Sequence, residues 1–219
     1  FFWIGTENAG LNYFDSHTKK SRNYPFASAQ QSLSYHNIHS LLKDDRQHLW
    51  VGTFSAGLNV YDPSTARVKT YQHNPLDTNS NSSNNIYALY KDKEGTIWIG
   101  TTDGLNVYDP VRDLFHRIKV PGSMHNIFYN IYEDDNNTIW FITYDSGLIG
   151  LHKKTGQWVQ YTADGKPHSL SSNKIISIHD DGAGKLWLGT DGGGLNCFDK
   201  QSKRFEVYDE REGVSGIVY

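Results

Sequence analysis

The sequence predicts an all-β fold, a β-propeller of four-stranded blades, and three observations predict it. A tryptophan-led phrase recurs: WIGTENAGLNYFD from Trp3, WVGTFSAGLNVYD from Trp50, WIGTTDGLNVYD from Trp98, WFITYDSGLIGLH from Trp140 and WLGTDGGGLNCFD from Trp187. Its tryptophans stand 47, 48, 42 and 47 residues apart, a period that suits a four-stranded propeller blade and is too long for a leucine-rich turn. Aromatic residues make up 14% of the 219, and 20 glycines accompany many Asn, Asp and Ser; this mixture of strand and turn formers favours β structure. The Gly-Thr and Gly-Leu-Asn steps inside each unit would break the helices of a helix-pair repeat.

The unit from 85 to 120 parses in full. NIYALYKD (Asn85 to Asp92) alternates apolar and polar residues and reads as the first strand. KEG turns the chain. TIWIGT (Thr96 to Thr101) is apolar on both faces, as a strand sandwiched between neighbouring blades is. TDG is a tight turn with Gly where positive φ is cheap. LNVYD (Leu105 to Asp109) is the third strand, PVRD turns again, and LFHRIKV (Leu114 to Val120) is the fourth. The same pattern places blade units at 35–71, 127–161 and 174–208, a partial unit at 1–24, and a first strand of a next or closing blade at 213–219. A single four-stranded sheet cannot bury both faces, whereas stacked blades can. Residues 1–219 therefore read as one propeller segment of about five blade units. GVSGIVY (Gly213 to Tyr219) resembles a first strand and could pair with the head of the chain, closing five blades. The segment is instead expected to be part of a larger ring, and the chain a piece of a longer polypeptide.

The residues that repeat have structural work. Trp50, Trp98, Trp140 and Trp187 are expected to pack between blades. Gly52, Gly100 and Gly189 are expected to let an aromatic ring approach the backbone. Gly57, Gly104, Gly147 and Gly194 belong to the turn before the third strand, and Asp62, Asp109 and Asp199 accept amide hydrogen bonds in the turn that follows it. Asp44-Asp45, Asp134-Asp135 and Asp180-Asp181 recur at one place in the unit and read as turn residues rather than as an acid–base couple.

Composition narrows the function. The net charge is −3 and the pI about 6.4, without a basic stripe, which argues against nucleic acid. No apolar run is long enough to cross a bilayer. The single cysteine, Cys197, allows no intrachain disulfide and no cysteine-based zinc cluster, and reads as a small core residue. His36 and His39 lie three apart on a strand and point to opposite faces, a poor arrangement for chelation. No metal, no cofactor and no catalytic residue is predicted.

At WIGTxxGLNxYD the chain resembles the two-component regulator propeller repeat, over nearly its whole length. The resemblance implies the periplasmic sensor region of a hybrid two-component system, one that helps detect a carbohydrate fragment and so controls polysaccharide use. In that family the rings commonly have seven blades. A membrane helix and a histidine kinase would lie outside this segment, and a homodimer could form through the parent protein. The segment itself is then not an enzyme. The fourth unit departs from the pattern, with Phe141-Ile142 in place of an aliphatic residue and Gly, and Leu151-His152 in place of aromatic-Asp. It is similar to the repeat of streptogramin-lyase-type propellers, and so leaves open a propeller enzyme. A scaffold for protein interaction or dimerisation is a further alternative.

An oligosaccharide site wants flat aromatic faces beside hydrogen-bonding groups. Fourth-to-first connections and second-to-third turns share one face of a propeller. The long polar connections at 25–34, 72–85 and 162–174 fall there, and such loops commonly carry binding. The second-to-third turns offer Phe54, Tyr144 and Asp191. The starts of the inner strands offer Tyr35, His36, Asn85, Tyr87, Asn126, Phe128 and Asn173. A subset of these ten is expected to contact the ligand.

Overall fold

The computed structural model describes residues 1–24, 37–122, 127–209 and 213. Those residues form nineteen strands and no helix. They divide into two compact units, Phe1–Lys119 and Val120–Tyr219.

The first unit holds three antiparallel sheets. The first sheet comprises β1 (Phe2–Gly5), β2 (Leu11–Asp15) and β3 (Lys20–Tyr24). The second comprises β4 (Ile38–Lys43), β5 (Leu49–Thr53), β6 (Leu58–Asp62) and β7 (Arg67–Tyr71). The third comprises β8 (Ile86–Lys91), β9 (Ile97–Thr101), β10 (Gly104–Asp109) and β11 (Leu114–Ile118). The second unit holds a fourth sheet of β12 (Phe128–Glu133), β13 (Thr138–Thr143), β14 (Leu148–His152) and β15 (Gln157–Tyr161). Its fifth sheet is β16 (Ile175–Asp180), β17 (Lys185–Thr190), β18 (Leu195–Asp199) and β19 (Arg204–Tyr208). Within each sheet every strand pairs with its sequence neighbours, so each sheet is the meander of a propeller blade. The strand expected at 213–219 lies, beyond Gly213, outside the described residues.

The core lies between blades rather than within them. In the first unit Leu11 of one blade packs with Ile38, Leu49, Val51 and Tyr61 of the next. Trp50 and Leu58 of the second blade pack in turn with Ile86, Ile97, Ile99 and Phe115 of the third. In the second unit Trp140, Ile142 and Leu148 meet Ile175, Leu186, Leu188, Phe198 and Phe205. Hence β5, β9 and β13 are buried along their whole lengths. Trp50 and Trp140 face the following blade, as expected, and so does Trp3: Trp3 meets Tyr61 edge-on at 5.9 Å, Trp50 meets Tyr108 at 4.9 Å and Trp140 meets Phe198 at 5.6 Å, whereas Trp187 meets Tyr208 of its own blade at 5.7 Å. Cys197 is a buried core residue opposite Trp187.

Three of the repeat indoles are also pinned at their polar ends. Six residues before each stands an aspartate whose Oδ2 accepts the indole Nε1–H: Asp44 from Trp50 at 2.9 Å, Asp92 from Trp98 at 3.0 Å and Asp134 from Trp140 at 3.0 Å. The other carboxylate oxygen closes the turn. Asp92 Oδ1 takes the N–H groups of Glu94 and Thr96, and Asp134 Oδ1 those of Asn136 and Thr138. Asp181, six before Trp187, closes its turn the same way on Ala183 and Lys185. The recurring acids are therefore turn residues, as read, and additionally orient the tryptophans. The aspartates that end the third strands cap the next turn through two amides each, Asp109 on Val111 and Arg112, Asp199 on Gln201 and Ser202.

Two glycine positions carry constraints. Gly57, Gly147 and Gly194 have φ of +85, +72 and +70°, and a Cβ at each would come within 2.4 Å of the carbonyl oxygen of Tyr71, Tyr161 and Tyr208. At Gly52 and Gly189 no aromatic ring approaches. A Cβ at Gly52 would fall 2.2 Å from Ser40 Oγ and 2.8 Å from Ile86 Cγ2, and one at Gly189 2.5 Å from Ser177 Oγ. The expectation of an aromatic neighbour is corrected: the glycine makes room for the inner strand of its own blade and, at Gly52, for an isoleucine of the next.

The described connections are built in. Phe115 N–H donates to Asn79 O, and Phe205 N–H to His168 O, stitching each connector onto the fourth strand of the blade it leads into. The repeat asparagine of the third strand receives it: Asn106 Oδ1 accepts Ser82 N–H and Asn196 Oδ1 accepts Ser171 N–H, while each amide nitrogen donates back to the serine hydroxyl at 2.7 Å. Ion pairs add to blade contact. Lys91 of the third blade pairs with Asp45 of the second. In the second unit Lys200 lies 4.0 Å from Asp134 of the preceding blade and 2.7 Å from Asp180 of its own, and Lys153 lies 2.8 Å from Glu133 within the fourth blade.

Asp92→Ala leaves three N–H donors without their carboxylate, two of them at or near burial, and is expected to cost about 2–4 kcal/mol in urea unfolding. Asp103→Ala, at an exposed turn, is expected to stay within about 0.5 kcal/mol in the same measurement. Gly147→Ala is expected to cost about 3 kcal/mol, from strain and the clash with the Tyr161 carbonyl together. Gly95→Ala has φ +88° and open space around its Cβ, and should cost only the backbone penalty of about 1 kcal/mol.

Candidate functional site

A one-residue irregularity recurs near the start of every inner strand. Pairing with the second strand skips a residue between Ile38 and Ser40, Ile86 and Ala88, Phe128 and Asn130, and Ile175 and Ser177. The skipped residues are His39, Tyr87, Tyr129 and Ile176. A bulge of this kind leaves its extra residue unpaired and re-aims its side chain. The residue that follows it is small in three blades, and Ser40, Ala88 and Ser177 sit opposite Gly52, Gly100 and Gly189.

The backbone fixes two more positions beside each bulge. The first residue after the second strand donates its N–H to the carbonyl of the residue before the inner strand: Phe54 to Asn37, Thr102 to Asn85, Tyr144 to Ile127, and Asp191 to Lys174. Each described four-stranded blade thus presents a trio on a constant frame: Asn37, His39 and Phe54; Asn85, Tyr87 and Thr102; Ile127, Tyr129 and Tyr144; Lys174, Ile176 and Asp191. The connector reaches the same end of the blade, since Gly57 N–H donates to Asn84 O and Gly147 N–H to Asn173 O.

In the first unit the trios form an aromatic cluster. Phe54, 39% exposed, stacks on His39 with centroids 5.7 Å apart and planes at 19°. Tyr87 of the next blade meets His39 edge-on at 4.8 Å. Asn85 Oδ1 accepts Ser55 N–H at 2.7 Å, which ties that blade to the neighbouring turn. Burial holds the His39 imidazole below the ordinary histidine range, and the Glu7 carboxylate partly offsets this. In the second unit Tyr144, 41% exposed, meets Tyr129 edge-on at 6.0 Å. Lys174 Nζ lies 5.5 Å above the Tyr144 ring and 3.7 Å from Asp191 Oδ2.

Of the ten residues singled out from sequence, Phe54, Asn85 and Tyr87 are brought together in the first unit. Tyr144 and Asp191 are brought to one Lys174-centred group in the second. Two are corrected. Phe128 is fully buried and packs edge-to-face on Phe141, so it is core. Asn173 is a strut: its Oδ1 accepts Ala163 N–H at 2.7 Å and its carbonyl accepts Gly147 N–H. Tyr35, His36 and Asn126 lie outside the described residues. The sequence reading missed His39, Tyr129 and Lys174 as site residues. The signal for the bulge positions is the break in alternation after the first apolar residue of each inner strand. The described connectors, read as candidate binding loops, are anchored where they meet the blades: Asn81, Ser82, Ser83 and Leu170 are buried.

Among the described residues no group of three or more His, Cys, Asp or Glu could hold a metal ion, and no helix is long and apolar enough to cross a membrane.

The geometry defines a propeller segment whose blades share a frame and differ in the residues they present. Residues 32–55, 80–103, 122–145 and 169–192 match the family model for the two component regulator propeller, and the chain carries these repeats. Each matched stretch runs from the connector through the inner strand to the second-to-third turn, and so contains the trio. Among solved structures, the extracellular domain of a one component system from B. thetaiotaomicron is similar with a TM-score of 0.75 and 20% identity, over 94% of this chain and 29% of that one. The extracellular domain of a hybrid two component system from the same bacterium gives 0.61 and 18%, over 98% and 35%. Virginiamycin B lyase from Staphylococcus aureus gives 0.69 and 13%, over 94% and 65%. The likeness is one of fold, and the chain spans about a third of the length of the first two. No curated protein matches it.

The His39 imidazole is expected to titrate below the ordinary value of about 6.5, and Glu7→Gln to lower it further; NMR of the imidazole protons, assigned with His39→Gln, reads both. The folded state disfavours the proton, so the unfolded chain binds more of it. The contribution of His39 to stability is complete above about pH 6.5 and is lost as the pH falls through the folded value.

Proposed function

We propose that this chain is part of the periplasmic sensing region of a hybrid two-component signalling protein, and that its blades hold a carbohydrate fragment that controls use of the parent polysaccharide. The segment has no chemistry of its own in this reading. A kinase, a membrane helix and any dimer contact belong to the rest of the protein.

One observation carries the reading: the differences between blades concentrate at the trios. Residues needed for the frame are nearly the same in every unit, whereas the presented residues run through His, Tyr, Phe, Ile, Asn, Thr, Lys and Asp. Flat rings such as Phe54 and Tyr144 suit the C–H faces of a sugar, and Asn85, Lys174 and Asp191 suit its hydroxyls. The repeat match and the extracellular, signalling relatives agree with this assignment.

A second reading, a propeller lyase, draws on the fold shared with virginiamycin B lyase and on the divergent fourth unit. Incubation of the chain with virginiamycin B, followed by mass spectrometry, tests it directly. Loss of the intact compound would favour the lyase.

For the sensor reading, calorimetric titration with malto-, xylo-, manno- and fructo-oligosaccharides is expected to find a binder among them. Phe54→Ala or Tyr144→Ala is expected to weaken it about tenfold, near 1.4 kcal/mol, with Asp103→Ala unchanged. Unchanged affinity in both aromatic variants, with folding intact by near-ultraviolet circular dichroism, removes the trios from the site.

A further inference from the structure

A cleft of about 790 Å³ opens between the second and third blades, at the end of the sheets opposite the trios. Its volume falls within the range of small-molecule sites, roughly 300–1,000 Å³. The first-to-second and third-to-fourth turns of the two blades form its rim, with Trp50, Tyr71 and Tyr108 in its wall.

One wall is locked. Asp113 holds a left-handed turn position at φ 60°. Its Oδ1 accepts the hydroxyls of Tyr71 and Tyr108, the latter at 2.7 Å, and its Oδ2 pairs with Lys69. Lys69 Nζ in turn lies 4.7 Å from the Tyr71 ring centre. Burial alone would raise the Asp113 pKa, but Lys69 and the two hydroxyls more than offset this and hold it at about 2. The other blades have Lys19, Ala66, Gly156 and Lys203 at this turn position. In the second unit the corresponding rings are Tyr161 and Phe198, with Lys203 lying over Phe198. The tyrosine–carboxylate wall is thus particular to this pair of blades.

Both lysines of the cleft are paired with its carboxylates, and its other acids, Asp44, Asp62 and Glu94, are each engaged by other groups. Asp44 is taken by Trp50 and by turn amides, Asp45 by Lys91, Asp62 by Ser64 and Thr65, and Asp113 by Lys69 and the tyrosines. Arg46 and Arg67 line the same cleft, and their guanidinium groups make no ion pair among the described residues. A guanidinium is built to take a carboxylate through two parallel hydrogen bonds. Beside it stand aromatic rings and the hydroxyls of Thr65 and Thr96, which suit a hydroxylated ring.

We propose that this cleft binds a sugar acid, with its carboxylate on Arg46 and Arg67 and its ring against the Trp50–Tyr71–Tyr108 wall. The site is separate from the trios and does not depend on their reading.

Saturation-transfer NMR and calorimetry of the chain with glucuronate, glucose and inorganic sulfate test it. Glucuronate is expected to bind, more weakly as salt rises, and glucose not to bind. Arg46→Ala with Arg67→Ala, both exposed side chains, is expected to weaken glucuronate at least about tenfold. Phe54→Ala is expected to leave it unchanged. Absence of glucuronate binding, equal binding of glucose, equal competition by sulfate, or an unchanged double-arginine variant overturns the proposal. Failure of the trio variants to affect any oligosaccharide bears only on the sensor reading.

Discussion

The hydrogen bond from the indoles of Trp50, Trp98 and Trp140 to the aspartate six residues before each is the contact on which the rest of those blades depends. It fixes the ring's rotation about its own side chain, so that the indole edge points to the turn and its faces point between blades. The same carboxylate closes the first-to-second turn through backbone amides, which sets the register of the first two strands. That register puts a glycine opposite a small residue of the inner strand, and the inner strand of the next blade packs down on the gap. One buried carboxylate thus couples turn, register and blade spacing. A stack built this way gains its stability at interfaces between neighbours, as in other repeat architectures.

Much of this was legible in the sequence. The period, the two-sided apolar second strand and the Gly-Leu-Asn third strand define the blades, because each is dictated by what a strand between two sheets must bury. The turn aspartates were legible for the same reason, since Asp62, Asp109 and Asp199 cap amides close to them in sequence. The Asp–Trp coupling and the role of Asn106 and Asn196 were not. Both join residues brought together only once the strands pair or the connector folds back. The glycines of the second strands were misread because what crowds them is the paired inner strand, Ser40 at Gly52 and Ser177 at Gly189, joined at Gly52 by Ile86 of the next blade. Phe128 was misread for a related reason: a bulge after the first residue of an inner strand exchanges which side chain is shown and which is buried. The bulge therefore shows Tyr129 in its place.

Constancy and variation divide cleanly within a blade. The frame residues cannot change alone, since each touches either backbone or a neighbouring blade. The trio residues hang from backbone atoms that are already satisfied, Phe54 N–H on Asn37 O and Asp191 N–H on Lys174 O. That bonding is made by backbone whatever the side chain, so His39, Tyr87, Tyr129 and Ile176 differ in chemistry without altering the strand that carries them. The ion pairs behave similarly. Lys91 with Asp45 in the first unit and Lys200 with Asp134 in the second each join a lysine of one blade to an aspartate of the blade before it, from different places in the unit. The lysine comes from an inner strand in one pair and from a third-to-fourth turn in the other, which is why no single charge marks the position in the repeat.

The cleft of the first unit follows from the same logic at the other end of the sheet. The buried second strands separate it from the trio end, so the third-to-fourth turn can differ between blades at little cost to the core. At Asp113 that freedom is used to draw two tyrosine hydroxyls and a lysine onto one carboxylate. Those groups spend their hydrogen bonds on each other, which makes the wall rigid but chemically closed. Recognition at the cleft must then come from the groups left over, and these are two guanidinium groups and the ring faces between them. A closed wall beside two guanidinium groups without ion pairs favours a rigid carboxylate with an apolar face over a flexible ligand, because the wall is already organised and only the ligand has order to lose.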